Sequence, residues 1–171
     1  MPVQLSLNDL MDYTDWDRGK WHALLREQGA AALKIGTGPH GDGRVQNVGE
    51  LIRHIFSAER RYVERLSGTP VSDTSGVAAD DADALFRFGA ETRGELRRLV
   101  DGLPAERWDQ PVEFTLMKST LRMTPRKVVV HTLLHEIRHW AQVATMLRLE
   151  GVKGDFHDFL FSPALGGEIR R

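Results

Sequence analysis

Apolar residues recur at helical spacing in four stretches of the chain, separated by polar connections rich in glycine and proline. The first stretch starts at Ser6, which with Asp9 three residues on has the form of a capping box, and it runs to about Gln28, ahead of Gly29. Leu7, Leu10, Trp21, Leu24 and Leu25 are its apolar stripe. Gly36, Gly38, Pro39, Gly41 and Gly43 then rule out a continuing helix. They follow no apolar strand and lack the Lys-Ser/Thr ending of a phosphate-binding loop, so they read as a connection. Asn47 with Glu50 opens the second helix, whose stripe is Leu51, Ile55, Ala58, Tyr62 and Leu66, and Gly68-Thr69-Pro70 closes it. After a small-residue loop from Val71 to Asp80, a third helix covers about Asp81 to Asp101. Between Pro111 and Met123 the period shortens to two, with Val112, Phe114 and Leu116 alternating with polar residues, as in an extended segment or short hairpin. Thr124 as N-cap and Pro125 at the first helical position start a fourth helix that reaches about Glu150. Phe156, Phe159, Leu160 and Phe161 make the tail apolar enough to dock. The pattern predicts an all-α fold, an antiparallel four-helix bundle with a minor extended segment before the last long helix.

At 171 residues the chain fits one domain, residues 1–171, and 41% hydrophobic with 27% charged residues is the mixture of a globular protein. The formal net charge of −1 supplies no cationic footprint for nucleic acid or an acidic membrane. No apolar run approaches a bilayer span, and Met1-Pro2-Val3 opens no charged-then-apolar leader, so a cytoplasmic address is expected. The chain has no cysteine. That excludes a disulfide framework, a thiolate-ligated metal and a cysteine nucleophile. A metal site would have to use histidine, carboxylate and water, and thiol chemistry would need a thiol from outside.

The fourth helix carries His131, His135 and His139 at strict four-residue intervals, with Gln142 three residues further on. Each such step turns about 40° and rises about 6 Å, so the rings climb one face. Adjacent imidazoles can share one ion; the first and last, about 12 Å apart along the axis, cannot. Two ligands therefore come from this helix and a third from elsewhere. The opposite face, with Val129, Leu133, Ile137, Trp140, Ala144 and Leu147, is ordinary core. His54, at the border of the second helix's stripe, is the best third ligand. His22, His40 and His157 lack a paired histidine and rank below it. Glu59 falls within the same apolar stripe and reads as a buried ion-pair partner.

Two motifs compete for the chemistry. His135-Glu136-Ile137-Arg138-His139 matches H-E-x-x-H, in which Glu136 would be the general base of a zinc metallohydrolase. The helical wheel, however, turns Glu136 toward the core, where an ion pair explains it more simply. The wider pattern is Tyr13-Thr-Asp-Trp16; Val48 to Tyr62 around His54 and Glu59; Leu103-Pro-Ala-Glu-Arg-Trp108; and His131-x3-His135-x3-His139-x2-Gln142. In order and separation these pieces resemble the DinB/YfiT-like family of metal-binding four-helix bundles, from near Leu5 to about Gly151. The resemblance implies a divalent ion (zinc, nickel, iron or manganese) on His54, His135 and His139, with Tyr13, Trp16, Gln142 and His131 near the pocket. It also implies a homodimer, a small-molecule substrate and a low-molecular-weight thiol as co-substrate in a metal-dependent S-transfer to small electrophiles. A non-catalytic metal-binding bundle is the plainer alternative. Trp140-Ala141 departs from the basic residue and glycine that commonly follow the last histidine in such relatives.

Overall fold

The computed structural model describes residues 4–38 and 43–166. Its long helices are α1 (Leu7–Gln28), α3 (Val48–Ser67), α4 (Ala82–Gly102) and α5 (Pro125–Leu149), with a single turn, α2 (Ala30–Leu33), after the first. Local chemistry sets their starts. Ser6 and Asp9 form the reciprocal capping box of α1. Asn47, Asp81 and Thr124 each accept a backbone N–H of the first turn of α3, α4 and α5. Gly68 ends α3 in the left-handed region at φ 69°. A small sheet accompanies the helices: β1 (Val112–Leu116) and β2 (Ser119–Met123) pair antiparallel from Val112 opposite Met123 to Leu116 opposite Ser119. The chain is thus mostly helical rather than purely so, and the hairpin lies where the period-two pattern begins. No helix among the described residues is long and apolar enough to cross a membrane.

The directions of the helices differ from the simple antiparallel expectation. Arg18 meets Glu136 and Trp21 stacks on Trp140, so α1 and α5 run the same way. Phe56 meets Phe86 and Arg60 meets Glu95, so α3 and α4 also run parallel. His54 approaches His139 while Tyr62 approaches His131, which makes α3 antiparallel to α5. The order is up, down, down, up. Residues 69–81 carry the chain back along the whole of α3 before α4 begins. Ser72 binds Glu64, Thr74 binds Ser57, and Arg53 donates to the carbonyls of Ser75 and Val77. At the end of this retracing segment the backbone passes so close to α3 that a Cβ on Gly49 would lie 1.8 Å from the Ala79 carbonyl oxygen. Only glycine fits there.

The core has two apolar clusters separated by a charged layer. One gathers Trp21, Ile52, Phe56, Leu85, Phe86, Trp140 and Val143; the other gathers Met11, Val63, Leu96, Val129 and Leu133. Between them, one residue from each long helix joins a buried network: Arg18, Glu59, Arg93 and Glu136. Arg18 reaches Glu136 at 2.6 Å and Glu59 at 2.7 Å, and Arg93 reaches the same carboxylates at 2.7 and 3.0 Å. Two guanidiniums and two carboxylates leave the layer neutral. Burial pushes Glu59 up, but the charges of Arg18 and Arg93 and their hydrogen bonds outweigh it and hold the carboxyl below its ordinary range. Gly89 makes room for this layer, since its carbonyl accepts from Arg18 at 2.9 Å and a Cβ there would lie 2.8 Å from the Phe56 ring.

Candidate metal centre

The site follows from α3 and α5 running antiparallel at close range. His54 on α3 then faces the ladder of α5 between its second and third rungs. His54 Nε2 lies 3.3 Å from His135 Nε2, which lies 3.0 Å from His139 Nε2. The ligand atoms of all three rings fall within 4.8 Å of one another. An ion bound at about 2.1 Å by two imidazoles, at angles between octahedral and tetrahedral, holds their nitrogens about 3.0–3.4 Å apart. The His54–His135 and His135–His139 separations fit such a cation.

Proton placement points the same way. His139 Nδ1 stands 2.5 Å from Gln142 Oε1. An amide oxygen can only accept, so His139 carries its proton on Nδ1 and turns the lone pair of Nε2 toward its neighbours. Burial, followed by the charges of His139, His54 and His131, pushes His135 down to about 3. At neutral pH that ring is therefore uncharged and ready to donate its lone pair. At 3.0 Å the Nε2 atoms of His135 and His139 are placed to share either one proton or one cation. Protein ligands from three imidazoles are neutral, so a divalent ion would keep its full charge and its open positions.

His131, one turn up the ladder, stays out of this set: its Nε2 faces the Tyr62 hydroxyl at 3.3 Å. Gln142 is beside the site as the partner of His139. Tyr13 and Trp16, expected near the pocket, are elsewhere. Tyr13 is buried against the tail, donating to the His157 carbonyl at 2.8 Å, and Trp16 lies beside it under Lys20. The rotation of α1 is the reason, because Arg18 must point into the charged layer, which turns Tyr13 toward the tail. Burial, then Asp17, Asp158 and Glu136, raises the Tyr13 hydroxyl to about 12. The other histidines have partners of their own. His22 stacks on Phe86 and pairs with Asp83, and His157 stacks on Trp21 and pairs with the buried Asp17. His40 lies outside the described residues.

Glu136 does not serve this site. Its carboxylate accepts from Arg18, from Arg93 and, at 3.0 Å, from the Trp140 indole, and the residue is 1% exposed. One residue along a helix is a turn of about 100°, which takes Glu136 from the histidine face into the charged layer. Sequence reasoning missed what lines the approach to the histidines. A cleft of about 520 Å³ opens over them, bounded by α3, α5, the retracing segment at Asp73–Ser75 and the hairpin tip at Leu116 and Met117. Arg53, Arg61 and Arg65 belong to its wall. Their spacing in multiples of four, one position from the His54 row, was the available signal.

A search of curated proteins finds no match to the chain. The family model of the DinB superfamily matches residues 37–143, which is more than half of the chain and includes His54, His135, His139 and Gln142. Together with the mostly helical bundle and the facing histidines, that match assigns the family: the chain belongs to the DinB superfamily.

Proposed function

We propose that His54, His135 and His139 bind a divalent metal ion, and that the site activates a low-molecular-weight thiol for transfer to a small electrophile. The observation that carries the metal reading is the convergence of three imidazole nitrogens within 4.8 Å, one ring held neutral by burial and another oriented by Gln142. Bound there, a divalent ion supplies a Lewis acid that deprotonates a coordinated thiol at neutral pH. The protein's own part is to hold three lone pairs on one point, to keep the rings uncharged, and to leave the side facing the cleft open. The absence of cysteine agrees with a thiol brought in as co-substrate.

The H-E-x-x-H alternative requires a general base within reach of the ion. The engagement of Glu136 by two guanidiniums and an indole favours the thiol reading over it. Protein purified without a nickel column should carry close to one divalent ion per chain by elemental analysis, and His54→Ala or His139→Ala should lose it with helicity retained. Turnover of an epoxide or alkyl halide should need added thiol and vanish in His139→Ala. Thiol-independent peptide hydrolysis would overturn the transferase reading, and an ion-free wild type would overturn the metal reading.

A further inference from the structure

Metal binding alone gives no reason for arginines beside the ion, yet five of them, Arg44, Arg53, Arg61, Arg65 and Arg138, line the cleft over the histidines. Three stand on α3 in one row, Arg53, Arg61 and Arg65, next to the row of His54 and Tyr62. Among the described residues two carboxylates line the cleft, Glu50, which also faces Arg53 at 3.9 Å, and Asp73, and both are already engaged. Glu50 accepts from the Gln46 backbone at 2.8 Å, and Asp73 accepts from the backbone and hydroxyl of Ser75 at 2.9 and 3.0 Å. Arg61, Arg65 and Arg138 have no carboxylate within salt-bridge distance among the described residues. Arg61 makes a long contact, 3.4 Å, with Thr74 Oγ1 and feels the Asp73 carboxylate beyond salt-bridge distance. Arg65 lies 5.7 Å over the rings of Tyr62 and Phe114, and Arg138 is 3.5 Å from His139 Nε2. By contrast, Arg18, Arg93 and Arg97 are each held by carboxylates. The whole chain has a formal net charge of −1, so the positive charge of this cleft is a local concentration. A divalent ion would add to it. Like charges gathered around a cavity repel one another until an anion enters, and guanidiniums bind carboxylate and phosphate oxygens through paired N–H donors.

We propose that this cleft binds a small molecule bearing a carboxylate or phosphate, with Arg61 and Arg65 holding the anionic group while the reacting end meets the histidines. This deepens the metal reading and rests on it for the reacting end. The arginines, however, stand on α3 whether or not an ion is present. The axial rise from His54 to Arg61 is about 10 Å, and to Arg65 about 16 Å, so the anionic group sits a small molecule's length from the reacting centre. Leu116 and the 83% exposed Met117 give the same cleft an apolar lip at the Arg65 end, where Phe114 packs on Tyr62.

The test is titration calorimetry of the zinc-loaded full chain with succinate, inorganic phosphate and the uncharged analogue succinamide. Succinate or phosphate should bind at least tenfold more tightly than succinamide, and the preferred one of the two identifies the anionic group. Arg61→Gln/Arg65→Gln should weaken that binding at least tenfold with zinc content and helicity unchanged. In His139→Ala, which removes the ion, binding that still depends on the two arginines is expected. Equal affinity for succinate and succinamide would overturn the proposal, as would anion binding that ignores the arginine substitutions or requires only the ion. Wild type that takes up no zinc yet binds the anion through the two arginines would instead sink the metal reading and leave the anion site standing.

Discussion

Replacing Glu136 by Gln tests whether this residue belongs to the charged layer or to the chemistry. Glu136 accepts from Arg18 at 2.6 and 2.7 Å, from Arg93 at 2.7 Å and from Trp140 at 3.0 Å, all with side chains at most 8% exposed. The amide removes one negative charge from the layer, so two buried guanidiniums are left with the buried carboxylate of Glu59 and, on Arg93, the half-buried Asp15 at 2.7 Å. It also points an N–H₂ donor at groups that only donate. Breaking a buried pair by removing one partner costs about 3–5 kcal/mol. With a urea dependence of about 2 kcal/mol per molar, the unfolding midpoint should fall by about 1.5–2.5 M. Total stabilities lie at about 5–15 kcal/mol, so the variant folds with a narrow margin and keeps its metal content. Removing charge in balance should be milder. Arg18→Leu/Glu136→Leu leaves the neutral Arg93–Glu59 pair, so its loss should be smaller than the sum of the two single changes by about 2 kcal/mol. Urea unfolding of wild type, Glu136→Gln, the two single leucine variants and the double variant measures both quantities. A Glu136→Gln midpoint within about 0.5 M of wild type, or strict additivity in the cycle, would refute the account.

Gln142→Ala should weaken metal binding about 10–100-fold, read by competition with a chelator, because it frees the ring of His139 to turn and to change tautomer. In chelator-treated protein, lowering the pH from 7.5 to 5.5 should reduce stability. The unfolded chain protonates His135 near 6.5 whereas the folded chain resists until about 3, so the unfolded state binds more protons across that window. His135→Asn should shrink this loss, and an unchanged pH dependence of the urea midpoint would count against the burial of that ring. Gly89→Ala gains about 1 kcal/mol of helix propensity but drives a methyl to 2.8 Å from a fully buried Phe56 ring, for a net loss of about 1–2 kcal/mol. A thermal midpoint at or above wild type would show that α3 and α4 part without strain.

What could be read in the sequence is what neighbouring residues decide among themselves. Ser6 with Asp9, Asn47 with Glu50 and Thr124 with Pro125 carry their capping geometry in a few residues, and the helix starts follow. The pairing of His135 with His139 needs only helical pitch. Helix direction is different in kind. Nothing near Gly68 announces that the chain will run back along α3, because that path is held by Gly49 against Ala79 and Arg53 against Ser75 and Val77, contacts between residues far apart in sequence. Tyr13 and Trp16 illustrate the same gap. Their helix was legible, but its rotation depends on Arg18 finding two carboxylates on other helices. The arginine wall escaped notice because surface arginines are common, and only the fold places those of α3 and α5 around one cavity.

The retracing segment also divides the labour of the molecule. Each histidine stands on a long helix anchored in the core, whereas part of the opposite wall, Asp73 to Ser75, is loop backbone laid over α3. Substitutions at the exposed Asp73 and Ser75 can reshape the mouth of the cleft while Thr74, buried against Ser57, holds the segment and the helices keep the three rings in register. Ligand preference can therefore drift through one short stretch of chain, and a constant cradle of three histidines can serve different small molecules.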